Sequence, residues 1–167
     1  MTARKGFDLL PEVIDALAGE DVTWNLYVNM ERKPNTVAVW ERLDRFDAER
    51  VRAMPRVSDV RQAYGAVDIV WVPSRSESFC RVAAEAMMNG IAVVASDIPP
   101  LRQLLGDDEA GLLYPTEDSA AAAAALRRLV ADPDLRRRLG EAGRLRADGY
   151  SPQMVTARLL ELYGIGD

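Results

Sequence analysis

The sequence predicts an α/β domain built on a parallel sheet. Three observations carry this prediction. Short apolar runs alternate with stretches of helical periodicity along the chain. Two of those runs, "IVWVP" at 69–73 and "IAVVAS" at 91–96, are apolar without a break, as strands covered by helices on both faces are. The 167 residues, 49% hydrophobic and 28% charged, suit one soluble globular domain with a sizeable core.

The elements follow in order. Residues 6–18 place Leu9, Leu10, Val13, Ile14 and Leu17 on one helical face. "VTWNLYVNM", 22–30, is β-branched and aromatic and reads as a strand. Residues 36–46 are open between helix and strand: Val37, Trp40 and Leu43 favour a helix, whereas "TVAVW" suits a strand. "VRAMP", 51–55, is a short strand candidate, and 58–68 a short helix with Ser58 as its N-cap. After the strand at 69–73, "CRVAAEAMMNG" reads as a helix closed by Asn89-Gly90. The strand at 91–96 leads to a short helix at "PPLRQLLGD" and a last strand at "AGLLYP". Alanine-rich 117–131 is helical. Asp132 and Pro133 start a helix over 132–147, and Ser151 and Pro152 start another over 151–164. No repeat or linker splits the chain. This order implies a Rossmann-like, doubly wound layer structure over 1–150, with a C-terminal helix in 151–167 packed on it. Ligands in such folds sit at the carboxyl ends of the strands.

Composition narrows the function. The chain contains no histidine, which excludes Ser-His-Asp and Cys-His chemistry within it. One cysteine, Cys80, cannot form an intramolecular disulfide and cannot replace the missing zinc ligands. A net charge of −5 argues against nucleic acid as a partner. No signal-peptide core or membrane-length apolar run is present, so the expected compartment is the cytoplasm. Neither G-x-G-x-x-G nor the P-loop motif occurs.

The strand-to-helix turn after "IVWVPS" is the candidate site. Glu77 lies in the turn and Glu85 eight residues on, about two turns or roughly 10 Å into the expected helix. The first amides of that helix, near Ser78, Phe79, Cys80 and Arg81, lie between the two acids and would attract phosphate. Acid, anion site and acid match a ligand composed of sugar, diphosphate and ribose, since a carboxylate accepts from both hydroxyls of a diol. Two glutamates near a helix start also occur simply because they complement its dipole.

A wider pattern is more specific. "KGFDLL", "AYGAVDIVWVPSRSESF", "EAMMNGIAVVASDIPPLRQLL", "AGLLYP" and "DPDLRRRLGEAGR" occur in this order. Together they resemble the C-terminal, donor-binding domain of retaining GT-B glycosyltransferases of the group-1 type (family 4), over roughly Lys5 to Tyr163. The resemblance centres on Glu-x7-Glu, here Glu77 and Glu85, followed by Ala86-Met87 and "VVASD". It implies a catalytic-site role for Glu77 at the donor sugar hydroxyls and a ribose-binding role for Glu85. It implies that backbone amides around Ser78, Phe79, Cys80, Arg81 and Val82 hold the sugar or diphosphate. Lys5 would neutralise the diphosphate, and Val57 would lie against the base. The implied donor is UDP-, GDP- or ADP-linked. No cofactor or bound metal is implied.

The sequence departs from the family in three places. Only Met1 to Arg4 precede Lys5, so the expected sheet lacks the family's first strand, which ends in Gly-Arg. The sheet would then have a gap, or 36–40 or a neighbouring chain would repair it; Arg4 is a candidate substitute for the arginine. The resemblance implies an N-terminal acceptor domain that these 167 residues do not include, so the expectation is that transfer needs that domain or a partner subunit. The alternative is a non-catalytic, truncated nucleotide-binding or assembly module. Finally, Cys80-Arg81 replaces glycine and an aliphatic residue, and "NMERKPN" replaces a glycine-rich turn. Cys80 at a helix start is a reactive thiol or, by preference, an inert small residue. Arg127, Arg128, Arg136, Arg137, Arg138, Arg144 and Arg146 read as a solvated face, with peripheral contact to an anionic membrane as the alternative. Trp24, Trp40 and Trp71 read as core.

Overall fold

Strand β4, Ala92–Ser96, is buried along its whole length and organises the fold. The structure is a computed structural model and describes residues 3–27, 34, 36–55, 57–150 and 160. In register, β4 pairs in parallel with β3, Ile69–Val72, on one side and with β5, Leu112–Tyr114, on the other. Side chains alternate along a strand, so β4 feeds two cores. Ala92 and Val94 join α1 (Leu10–Ala16), α2 (Val37–Leu43) and α6 (Ser119–Ala131) on one face. Val93 and Ala95 join α4 (Arg81–Met88) and α5 (Pro99–Leu105) on the other. This is the three-layer arrangement that the unbroken apolar run predicts.

A second parallel pair, β1 (Trp24–Leu26) with β2 (Val51–Ala53), forms a separate sheet. Among the described residues, no strand bridges β1 and β3. Among the described residues, the doubly wound sheet is therefore interrupted between β1 and β3. Residues 36–40 do not repair it, because Val37–Leu43 is helical, which also resolves the ambiguity of that segment. Instead Trp24 and Trp71 meet edge-on, ring centroids 6.0 Å apart, and Trp71 Nε1 donates to the Tyr114 hydroxyl at 3.1 Å. Trp24 and Trp40 are buried and Trp71 packs against the same cluster, so all three tryptophans are core.

Most helix starts fall where the sequence signals them. Asp132 caps α7, Pro133–Ala147, accepting from Leu135 N at 2.8 Å, with Pro133 at the first position. Asp118 caps α6 in the same way. One cap differs: Asp59, not Ser58, caps α3, Val60–Tyr64, accepting from Arg61 N at 3.0 Å. Both residues are good caps, and the carboxylate one step later wins by its charge. The helix expected over 151–164, and most of "NMERKPN", lie outside the described residues. No described helix is long and apolar enough to cross a membrane. Much of the arginine run is structural. Arg127 pairs with Glu20, Arg137 with Asp134, Arg146 with Glu109, and Arg136 donates to Leu129 and Val130 carbonyls.

Helix α4, which carries the candidate site, is braced from below. Its closing turn at Gly90 meets α7 at Gly140, where an added Cβ would stand 2.0 Å from Gly90 O. Glycine inside a helix normally costs about 1 kcal/mol relative to alanine. Here the overlap with rigid backbone reverses that sign. Gly140→Ala should lower the melting temperature by about 4–8 °C. Gly19→Ala, with nothing within 4 Å, should change it by less than about 1 °C. Thermal denaturation of both variants checks the pair.

Candidate functional site

The loop from Pro73 to Cys80 leaves the carboxyl end of β3 and enters α4. The N-terminal segment closes over it. Arg75 N donates to Arg4 O at 2.8 Å. Gly6, at φ 65°, lies so close that a Cβ there would stand 1.9 Å from Pro73 O. Only glycine permits both that backbone conformation and that approach. The next residues, Phe7–Leu9, form a 3-10 turn carrying Asp8. The Arg75 guanidinium holds Asp8 by two hydrogen bonds of 2.7 Å and also holds Glu117, whose φ of 72° is left-handed. Three segments distant in sequence are thus gathered at one end of the sheet.

This closure brings Lys5 onto Glu77. Lys5 Nζ donates to Glu77 Oε1 at 2.5 Å, and Ser74 Oγ donates to the same oxygen at 2.7 Å. Ser74 is buried, and its carbonyl accepts from Ser96 Oγ at the end of β4. The Glu77 side chain is 7% exposed, while that of Lys5 is 43% exposed. Burial pushes the Glu77 carboxyl up, but the Lys5 and Ser74 hydrogen bonds outweigh it and leave its pKa lowered, with further help from Arg4. Glu77 is therefore ionised at neutral pH. It can accept hydrogen bonds from a ligand, but it is not poised to donate a proton.

Helix α4 begins at Arg81. Its first intrahelical bond runs from Ala84 N to Cys80 O at 3.1 Å. The amides of Arg81, Val82 and Ala83 precede it and have no intrahelical partner. The stretch of free amides thus begins slightly later than the Ser78–Arg81 stretch expected from the sequence. Glu85 lies about one turn in, roughly 6 Å along the axis from Arg81, instead of two. The half-buried Glu85 accepts from the Tyr64 hydroxyl at 2.9 Å.

The remaining sequence candidates divide. Ser78, Phe79, Arg81 and Val82 are exposed around the helix start. Phe79 tilts against Tyr150, ring centroids 5.8 Å apart. Cys80 is 4% exposed and belongs to the core cluster that holds Ala83 and Ala84, with its thiol beside the Val82 and Ala83 amides. Burial pushes its thiol up, which fits the inert reading. Val57 is partly buried in the loop leading to α3. Among the described residues, no group of three or more His, Cys, Asp or Glu is gathered as a metal site.

A parallel α/β domain of this kind, with acids, a lysine and a helix start gathered at its strand ends, belongs to the class of Rossmann-like domains. Comparison with known proteins specifies the family. The model for "Glycosyl transferases group 1" matches residues 2–146, and the chain belongs to this family. A D-inositol 3-phosphate glycosyltransferase of Xylanimonas cellulosilytica is 34% identical over 163 residues, covering 95% of this chain and 39% of its own length. Two solved structures share the fold. A glycosyltransferase from Rickettsia africae matches with a TM-score of 0.87 at 24% identity, covering 98% of this chain and 45% of its own. Anabaena HepE, solved in complex with UDP, matches with a TM-score of 0.83 at 22% identity, covering 98% and 46%. The chain spans less than half the length of these relatives. The resemblance first seen in the motifs is thus established for the family, and the fold is the C-terminal half of GT-B glycosyltransferases.

Sequence reasoning missed Tyr64, Ser74, Arg75, Asp8 and Glu117. The polar turn "PSRSE" pointed to the first two loop residues only in general terms. Arg75 generates a prediction of its own. Its hydrogen bonds hold the Asp8 carboxyl below the usual carboxylate range, against a smaller upward push from burial. A depressed folded pKa gives stability that is present above the unfolded pKa of about 3.9 and lost as pH falls through the folded value. Asp8 is about half exposed, so the effect is modest. Arg75→Met should therefore lower the melting temperature by about 2–5 °C at pH 7. That difference should shrink as pH falls from 5 to about 3, as pH-dependent calorimetry of both proteins would reveal.

Proposed function

We propose that this chain binds a nucleotide-diphospho-sugar and supplies the donor side of a retaining hexosyl transfer. The observation that carries the reading is the placement of Glu77 and Glu85 on either side of the α4 start, with Lys5 seated on Glu77. Membership of the group-1 glycosyltransferases and the UDP complex of HepE support it.

In this reading, the diphosphate lies over the amides of Arg81, Val82 and Ala83, where the helix dipole favours negative charge. Lys5 offsets the charge that develops on the diphosphate as it leaves, so no metal is required for that role. Glu77, kept ionised, accepts from hydroxyls of the donor sugar and orients the anomeric carbon. Glu85 accepts from the ribose diol, and Val57 with the exposed Val82 flanks the base. Phe79 and its backbone line the sugar end. Retention would follow from front-face attack, with the acceptor entering on the side from which the nucleotide departs. Acceptor positioning and exclusion of water would come from an N-terminal domain or partner subunit, which converts binding into transfer.

Calorimetric titration with UDP, GDP and ADP tests the reading. At least one should bind with a Kd below about 1 mM, the scale of a few charge-assisted hydrogen bonds. Absence of binding by all three at millimolar concentration contradicts it. Glu85→Ala should weaken bare nucleotide and nucleotide-sugar alike, by about tenfold. Glu77→Ala should spare bare nucleotide and weaken only the nucleotide-sugar. Equal losses for both ligands in Glu77→Ala would remove the division of roles.

A further inference from the structure

The hydroxyl of Tyr64 lies between two acceptors. It is 2.9 Å from Glu85 Oε2 and 3.3 Å from the carbonyl oxygen of Val82 in the first turn of α4. It has one proton to give, and the carboxylate is the nearer acceptor. Tyr64 is the last residue of α3, so this bond crosses between two helices. The ring is half-buried and packs against the core beneath α4, so it cannot swing away freely. Burial, and then the Glu85 hydrogen bond, push its phenol well above the usual range, so it remains a donor throughout the working pH range.

We propose that Tyr64 is the positioning residue for Glu85 and thereby sets discrimination for a ribose diol. This rests on the reading of Glu85 as the ribose ligand. A glutamate on a helix surface loses rotamer freedom when it binds a ligand. The Tyr64 bond removes that loss beforehand. It occupies one of about four acceptor positions of the carboxylate and takes it on Oε2, leaving Oε1 entire. A diol with two donors at fixed separation profits most from an acceptor whose orientation is already set. A ligand without those hydroxyls gains nothing from it.

The test uses the full chain and whichever of UDP, GDP or ADP it binds most tightly, paired with the 2′,3′-dideoxy form of that nucleotide. Titration calorimetry gives the ratio of the two dissociation constants. The parent should favour the ribonucleotide by about tenfold or more. Glu85→Ala should bring the ratio to about 1, and Tyr64→Phe should cut it by about threefold or more while the dideoxy affinity stays within about twofold. Phenylalanine preserves the ring packing, and a melting curve confirms that the variant is folded. If Tyr64→Phe keeps the full ratio, or weakens both ligands equally, Tyr64 is only a packing residue and the proposal falls. If Glu85→Ala keeps the ratio, the ribose role of Glu85 itself fails, whatever Tyr64 does.

Discussion

A carboxylate with 7% exposure remains charged only if the water it loses is replaced. At Glu77 the replacement is the Lys5 ammonium and the Ser74 hydroxyl, both on one oxygen. Each partner is itself held from elsewhere. Ser74 is buried against the end of β4 through Ser96. Lys5 is delivered by a segment that bonds back to the loop at Arg4, touches Pro73 at Gly6 and is clamped by Arg75 at Asp8. Loss of any of these leaves a buried charge with less compensation. That dependence explains why so many long-range contacts converge on a short loop.

The fold places this loop without asking much of the site residues. The central strand β4 serves both cores, so its neighbours β3 and β5 end at a common level and their loops meet. The Gly90–Gly140 approach then fixes α4 from its far end, which leaves the helix start as the part facing outward. The break between β1 and β3 is filled by the Trp24–Trp71 pair, so the two sheets share one apolar core although, among the described residues, no strand pairing joins them.

Much of this was legible in the sequence, and the limits are physical. The unbroken run at 91–96 announced a strand covered on both faces, and Asp132-Pro133 announced a helix start, because both signals are local. The start of α4 itself was legible to within one residue, and the two-turn depth given to Glu85 overcounts, since five residues from Cys80 make little more than one turn. The side-chain direction of Cys80 was not legible, since it depends on the backbone turn into the helix. The Lys5–Glu77 pair spans 72 residues, and the Arg75 bonds to Asp8 and Glu117 span 67 and 42. Contacts at such separations leave no local pattern, so only the family resemblance drew Lys5 and Glu77 together. Tyr64 was passed over because an aromatic residue at a helix end reads first as packing.

The central claim is that a nucleotide-sugar lies across the start of α4, between Glu77 and Glu85. A crystal structure of the chain soaked with the nucleoside diphosphate it binds best tests it most directly. The account predicts phosphate density within hydrogen-bond distance of the Arg81, Val82 and Ala83 amides, and ribose hydroxyls on the Glu85 carboxylate. Density at any other part of the surface, with that helix start left to solvent, would contradict it.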